Sequence, residues 1–192
     1  MTEDLPLDAR GTRVSIRAQM WRDALADHDT GRARAKVRGS DYVGPGAESH
    51  LGGRVTPRLL AGKDVTAMKS ADTPHTWTAT QDVARLLVIA ARDDKAWGRP
   101  WHVPSNPPRT QREGVGDLCR VAGVSPVKVK EYPSLLIRGM GLFNSVMRDL
   151  PEVAYQFEEP FILDFTAAQT TFDLAPTPWD DMLAGTIDKY TD

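Results

Sequence analysis

A mixed α/β fold is predicted by three observations. Short extended segments alternate with helical ones along the chain, one helix is apolar on most sides, and residues 36–46 read as a brief strand that breaks into a turn. With 192 residues, 41% apolar and 26% charged, the chain has enough material for one sizeable core and a smaller one.

The elements follow in order. Val14, Ala18, Trp21 and Leu25 recur on one face and predict a helix from Arg13 to about Asp29, stopped by Gly31. Arg34 to Arg38 reads as a strand. Gly39 to Gly53 is a loop with five glycines, in which Gly44-Pro45-Gly46 forces a sharp turn, and Thr56 to Ala61 is a short helix. His75 to Thr78 is extended. Thr78 and Gln81 have capping-box spacing for a helix Asp82–Asp93, whose Val83, Leu86, Leu87, Val88, Ile89, Ala90 and Ala91 argue for packing between layers.

Trp101 to Val103 is a strand, and Thr110 with Glu113 forms a second capping box for a helix ending at Gly123. Val127 to Glu131 alternates as a strand with one wet face. Pro133 to Met147 is helical, and its Leu135, Leu136, Met140, Phe143 and Met147 read as core rather than as a partner-binding stripe. Phe161 to Asp164 is extended. Thr177 as N-cap, Pro178 at N1 and Asp180 at N3 open a terminal helix through about Tyr190.

Composition excludes several functions. A net charge of −2 with scattered basic residues gives no cationic stripe for nucleic acid. The acidic start Met-Thr-Glu-Asp and the lack of an apolar run near the ~20 residues that cross a bilayer argue against export and membrane insertion, so a cytoplasmic protein is expected. Cys119 is the single cysteine and shares a helical face with Val115, Leu118 and Ala122, which makes it core rather than nucleophile. His28, His50, His75 and His102 show no metal-ligand spacing, and no metal site is expected.

A family resemblance rests on a series of motifs. These are Thr2-Glu3-Asp4 with Pro6, Arg38-Gly-Ser-Asp41-Tyr42-Val43-Gly44-Pro45-Gly46, Gln81-Asp82-Val83-Ala84, Gly98-Arg-Pro-Trp101-His-Val-Pro-Ser105 and Thr110-Gln-Arg-Glu113. In this order they resemble the extended short-chain dehydrogenases/reductases, and more narrowly the NAD-dependent epimerase/dehydratases. The resemblance spans almost the whole chain. It implies a partial Rossmann-like, NAD(P)-binding second half plus a small mixed α/β substrate-binding domain, with residues 1–46 the remnant of the dinucleotide-binding unit and 47–192 the substrate-binding unit.

The resemblance also implies NAD or NADP as cofactor and a small-molecule substrate, a sugar nucleotide or a similar hydroxyl or carbonyl compound. The glycine-rich turn that cradles the pyrophosphate in the family has no counterpart here, since Gly39 to Gly53 lacks its spacing. The family's Tyr and Lys pair at i,i+4 falls on Arg13 and Arg17, which cannot act as general acids near neutrality. They read either as solvated arginines or as an anion contact, and no catalytic residue is assigned.

The turn after the strand matches better. The family's Asn and Tyr are replaced by Asp41 and Val43 while Gly44 and Pro45 are retained, so Asp41, Tyr42, Gly44 and Pro45 form the wall of the cofactor site. His75 and Trp77 are the substrate-side contacts. Asp82 reads as a helix cap rather than as chemistry. A strand around Val37 at or near a sheet edge would leave its backbone groups and one face of the Arg13–Asp29 helix bare, so a longer chain, a partner subunit, a homo-oligomer in the form of a rearranged dimer, or poor solubility is expected. Two functions stay open: an NAD(P)-dependent enzyme portion, inactive alone, or a non-catalytic binding module derived from that family.

Overall fold

The computed structural model describes residues 1–4, 12–67, 69–131 and 155–191. The helix read over Pro133 to Met147 lies outside them. In chain order the described elements are α1 (Thr12–Asp29), β1 (Lys36–Arg38), β2 (Asp41–Val43), α2 (Thr56–Leu60), β3 (Val65–Ala67), β4 (Trp77–Ala79), α3 (Thr80–Arg92), β5 (Pro100–His102), α4 (Gln111–Val121), β6 (Val129–Glu131), α5 (Thr166–Phe172) and α6 (Trp179–Asp188). Single 3-10 turns occupy Asp94–Ala96 and Tyr155–Phe157.

The strands pair as three parallel couples. Val37 lies opposite Trp101 in β1–β5, Tyr42 opposite Thr78 in β2–β4, and Thr66 opposite Lys130 in β3–β6. Parallel pairing needs a long crossover, and each couple is joined through at least one helix. Among the described residues no strand pairs with the other edge of β1.

Two cores result. The larger gathers Val43, Leu51, Leu59, Val65, Trp77, Val115, Leu118, Cys119 and Leu183 around β2–β4, α2, α4 and α6. The smaller packs Leu86, Ala90, Trp101, Val103, Ala168 and Leu174 where α3 and α5 cover β1–β5. Ala18 and Trp21 of α1 are buried as their spacing predicts, whereas Ile16 and Met20 face outward. Cys119 is 1% exposed, in agreement with a core role. No described helix is long and apolar enough to cross a membrane.

Several expectations are corrected. The capping box at α4 forms as read, with Thr110 Oγ1 accepting from Glu113 N at 3.1 Å and Glu113 Oε2 accepting from Thr110 N at 2.8 Å. The one proposed for α3 does not. Ala79 is the N-cap, the Thr78 hydroxyl accepts from Ser40 N at 3.0 Å, and Gln81 Nε2 donates to Thr177 Oγ1 at 2.6 Å. Tertiary partners outcompete the local ones. Nor is α3 packed on most sides: Leu87 and Val88 are more than half exposed, and its buried residues are Asp82, Leu86 and Ala90.

At the C-terminal end the helix α6 is preceded by Pro178 as N-cap, not Thr177, because Thr177 is drawn away to Asp82. Asp82 itself caps nothing in α3 but ties that helix to the approach of α6. Two strands escaped the sequence reading. β2 lay inside the expected loop, and β3 had no periodic signal in its three residues.

Candidate functional site

The site forms where β2 begins beside the segment entering β4. The parallel register sets Asp41 opposite Trp77, and His75, two residues earlier, sits in bridges to Arg109 and Phe161. These pairings bring together residues 35 positions apart, for Ser40 Oγ lies 3.1 Å from His75 Nε2. Asp41 Oδ2 lies 3.7 Å from the same nitrogen. The other ring nitrogen, His75 Nδ1, is 3.1 Å from the Gln156 carbonyl.

Those distances fix the imidazole tautomer. A carbonyl oxygen only accepts, so Nδ1 carries the proton and donates it to Gln156 O, leaving Nε2 to accept from the Ser40 hydroxyl. Asp41 Oδ2 then faces a lone pair and has no hydrogen-bond partner although it is buried. The Asp41 side chain is nonetheless 29% exposed, against 1% for His75.

Aromatic rings surround the imidazole. Phe157 and Phe161 stack with it at 4.9 and 5.2 Å between centroids, and Trp77 tilts against it at 4.8 Å. His50 meets Phe157 edge-on at 5.1 Å. Burial in this box pushes His75 down to about 4, against the opposing Gln156 carbonyl. Burial likewise lowers His50 to about 4, helped by the charge of Arg54 and by His75. Burial raises Asp41 to about 6, and the Arg54 guanidinium resists that rise.

The residues expected at the cofactor wall lie on one strand and its turn. Asp41 and Tyr42 belong to β2, with Tyr42 45% exposed beside the buried Val43. Gly44 holds φ +146°, and a Cβ there would collide with Thr80 Oγ1. Pro45 is exposed and approaches Gly185 of α6. Of the expected substrate-side pair, His75 joins Asp41 directly, while Trp77 is buried with its Nε1 donating to Arg109 O at 2.8 Å and forms the wall behind the imidazole. Arg17 is exposed on α1.

Ser40, His50 and Arg54 were not singled out from the sequence. Ser40 precedes a singled-out residue, yet only the fold shows that its hydroxyl reaches an imidazole 35 residues away. Among the described residues no group of three or more His, Cys, Asp or Glu is placed to hold a metal ion.

A dinucleotide pyrophosphate needs a helix N-terminus with free amides and no competing carboxylate. The starts of α3, α4 and α6 carry Asp82, Glu113 and the pair Asp180 and Asp181. None of these three helix starts fits a pyrophosphate.

No family model matches the chain, and no curated protein matches it. Solved structures do. A dTDP-glucose 4,6-dehydratase from Bacillus anthracis in complex with NAD aligns with TM-score 0.73 and 16% identity, over 99% of this chain and 55% of that one. The shared fold is mixed α/β and Rossmann-like. A UDP-glucuronic acid 4-epimerase from Bacillus cereus in complex with NAD aligns with TM-score 0.71 and 16% identity, over 99% of this chain and 55% of that one. RMD from Pseudomonas aeruginosa, complexed with NADPH, gives TM-score 0.70 and 13% identity over 98% and 59%. The chain thus spans a little over half the length of the solved enzymes it matches.

Proposed function

We propose that this chain is the substrate-side portion of an NAD(P)-dependent epimerase/dehydratase or reductase acting on a sugar nucleotide or a similar hydroxyl or carbonyl substrate, and that it is inactive alone. The observation that carries this reading is the alignment of 99% of the chain with 55% of a nucleotide-sugar dehydratase that holds NAD. In this reading residues 1–46 end the dinucleotide-binding unit and 47–192 form the substrate-binding unit, with β5 returning to pair with β1. Asp41, Tyr42, Gly44 and Pro45 border the cofactor, and His75 and Trp77 back the substrate. The nucleotide-binding half is supplied by further chain or by a partner, in the cytoplasm.

Support for inactivity alone comes from the carboxylates at the starts of α3, α4 and α6, which repel a pyrophosphate. Calorimetric titration of the chain with NAD⁺, NADPH, UDP-glucuronic acid and dTDP-glucose tests it. Binding of a sugar nucleotide without measurable dinucleotide affinity is expected. Tight NAD(P) binding would overturn the inactive half, and failure of both sugar nucleotides to bind would overturn the substrate class.

A second reading, a non-catalytic binding module, is favoured by Arg13 and Arg17 standing where the family resemblance expects Tyr and Lys. It predicts sugar-nucleotide binding with no turnover even after a dinucleotide-binding half is supplied.

A further inference from the structure

The carboxylate of Asp41 poses a problem that its surroundings do not solve. Its buried Oδ2 has no donor, and His75 Nε2, 3.7 Å away, already accepts from Ser40. Arg54 acts on Asp41 by charge alone, and His50 is the other titratable group close to this cluster. A single added proton resolves the conflict. Placed on Asp41 it neutralises the buried oxygen, and placed on His75 Nε2 it supplies a donor aimed at both Ser40 and Asp41.

We propose that Ser40, Asp41 and His75 form a proton-transfer site, in which Asp41 exchanges a proton with a hydroxyl or carbonyl oxygen of a bound ligand and relays it to His75 Nε2. The ligand's class rests on the function proposed above; the proton-sharing pair does not. In the direction of deprotonation, the ligand O–H bond breaks, its electron pair stays on the ligand oxygen, and an O–H bond forms on Asp41. That bond then breaks as Nε2–H forms, and the Ser40 hydroxyl turns from donor to acceptor.

The geometry suits each role. Asp41 is partly exposed, so it can meet both ligand and solvent, whereas His75 is sealed at 1% exposure and cannot. The 3.7 Å gap lies about 0.5–1 Å beyond hydrogen-bond range, a displacement within a side-chain torsion. The rings of Phe157, Phe161 and Trp77 offer a transient imidazolium their π faces. The Nδ1 bond to the Gln156 carbonyl holds the ring so that Nε2 keeps facing Asp41.

The test is a nuclear magnetic resonance titration of the chain carrying isotope-labelled aspartate carboxyls and histidine rings. It needs no nucleotide, so it succeeds or fails independently of the proposed function. The expected result is a step near 6 in the Asp41 carboxyl that His75 Nε2 also reports, ahead of the imidazole's own titration near 4. Asp41→Asn removes that step from His75, and Ser40→Ala shifts the shared midpoint in a chain whose backbone spectrum is otherwise unchanged. The proposal is overturned if Asp41 titrates near 6 while His75 stays unmoved there, or if His75 keeps the step near 6 in Asp41→Asn.

Discussion

Asp82 and Thr177, 95 residues apart, are joined twice: one carboxylate oxygen accepts from the Thr177 amide at 2.8 Å and the other from its hydroxyl at 2.7 Å. Arg85 Nη1 adds a third bond to Asp82 at 3.0 Å. The carboxylate is 1% exposed, so it acts as a buried clamp between α3 and α6.

Removing that clamp leaves a buried amide and hydroxyl without an acceptor. Asp82→Ala is expected to cost about 2–4 kcal/mol, measured by urea unfolding, with Thr177→Val costing less because its amide keeps a partner. The double variant should fall well short of the sum of the two single losses. Full additivity would show that the clamp carries no coupling.

Acid stability follows from the three shifted groups at the site. Unfolded histidines bind protons near 6.5 that folded His50 and His75 refuse until about 4, so stability is lost as pH falls through that window. Asp41 works the other way, because the folded chain binds its proton near 6 and the unfolded chain only near 3.8. Counting these three groups, the unfolded chain holds one proton more than the folded chain between these limits. These groups should therefore lower stability by about 1.4 kcal/mol per pH unit on acidification, and His102, which burial also lowers, adds to the loss.

Asp41→Asn removes the opposing contribution. The variant should be more stable than the parent at neutral pH, by about 1–3 kcal/mol, and should lose stability on acidification about twice as steeply. Denaturant midpoints at about pH 7 and about pH 5 check both signs. An unchanged slope would mean that Asp41 keeps an ordinary carboxylate affinity.

Gly44→Ala combines a left-handed backbone with a collision at Thr80 Oγ1. A loss of about 2–4 kcal/mol is expected by thermal or urea unfolding. Adding Thr80→Ala should recover the steric part and leave the backbone part, about 1 kcal/mol. No recovery would place the whole cost in the backbone.

Cys119 is 1% exposed within the larger core. A thiol reagent should leave it unmodified in the folded chain and react fully after unfolding. Rapid reaction under native conditions would show that α4 opens locally.

What the sequence revealed depended on how local each determinant is. The capping box of α4 was readable because Thr110 and Glu113 have only each other to satisfy. Thr78 and Gln81 have the same spacing, but the Thr78 hydroxyl is taken by Ser40 and Ser105 and the Gln81 amide by Thr177, partners that only the fold brings near. The exposed Leu87 and Val88 were misread for a related reason, since an apolar composition does not say which faces of a helix find cover. At the site, Asp41 and His75 were both singled out, but on different grounds. Their shared neighbour Ser40 became visible only through the parallel register of β2 and β4.

The edge of β1 that no described strand covers has a bearing on the company this chain keeps. Its three residues are Lys36, Val37 and Arg38, and two copies laid edge to edge in antiparallel register would set each lysine against an arginine. Like charges set opposite one another disfavour self-pairing along that edge. The same three residues thus weigh against edge-to-edge self-aggregation.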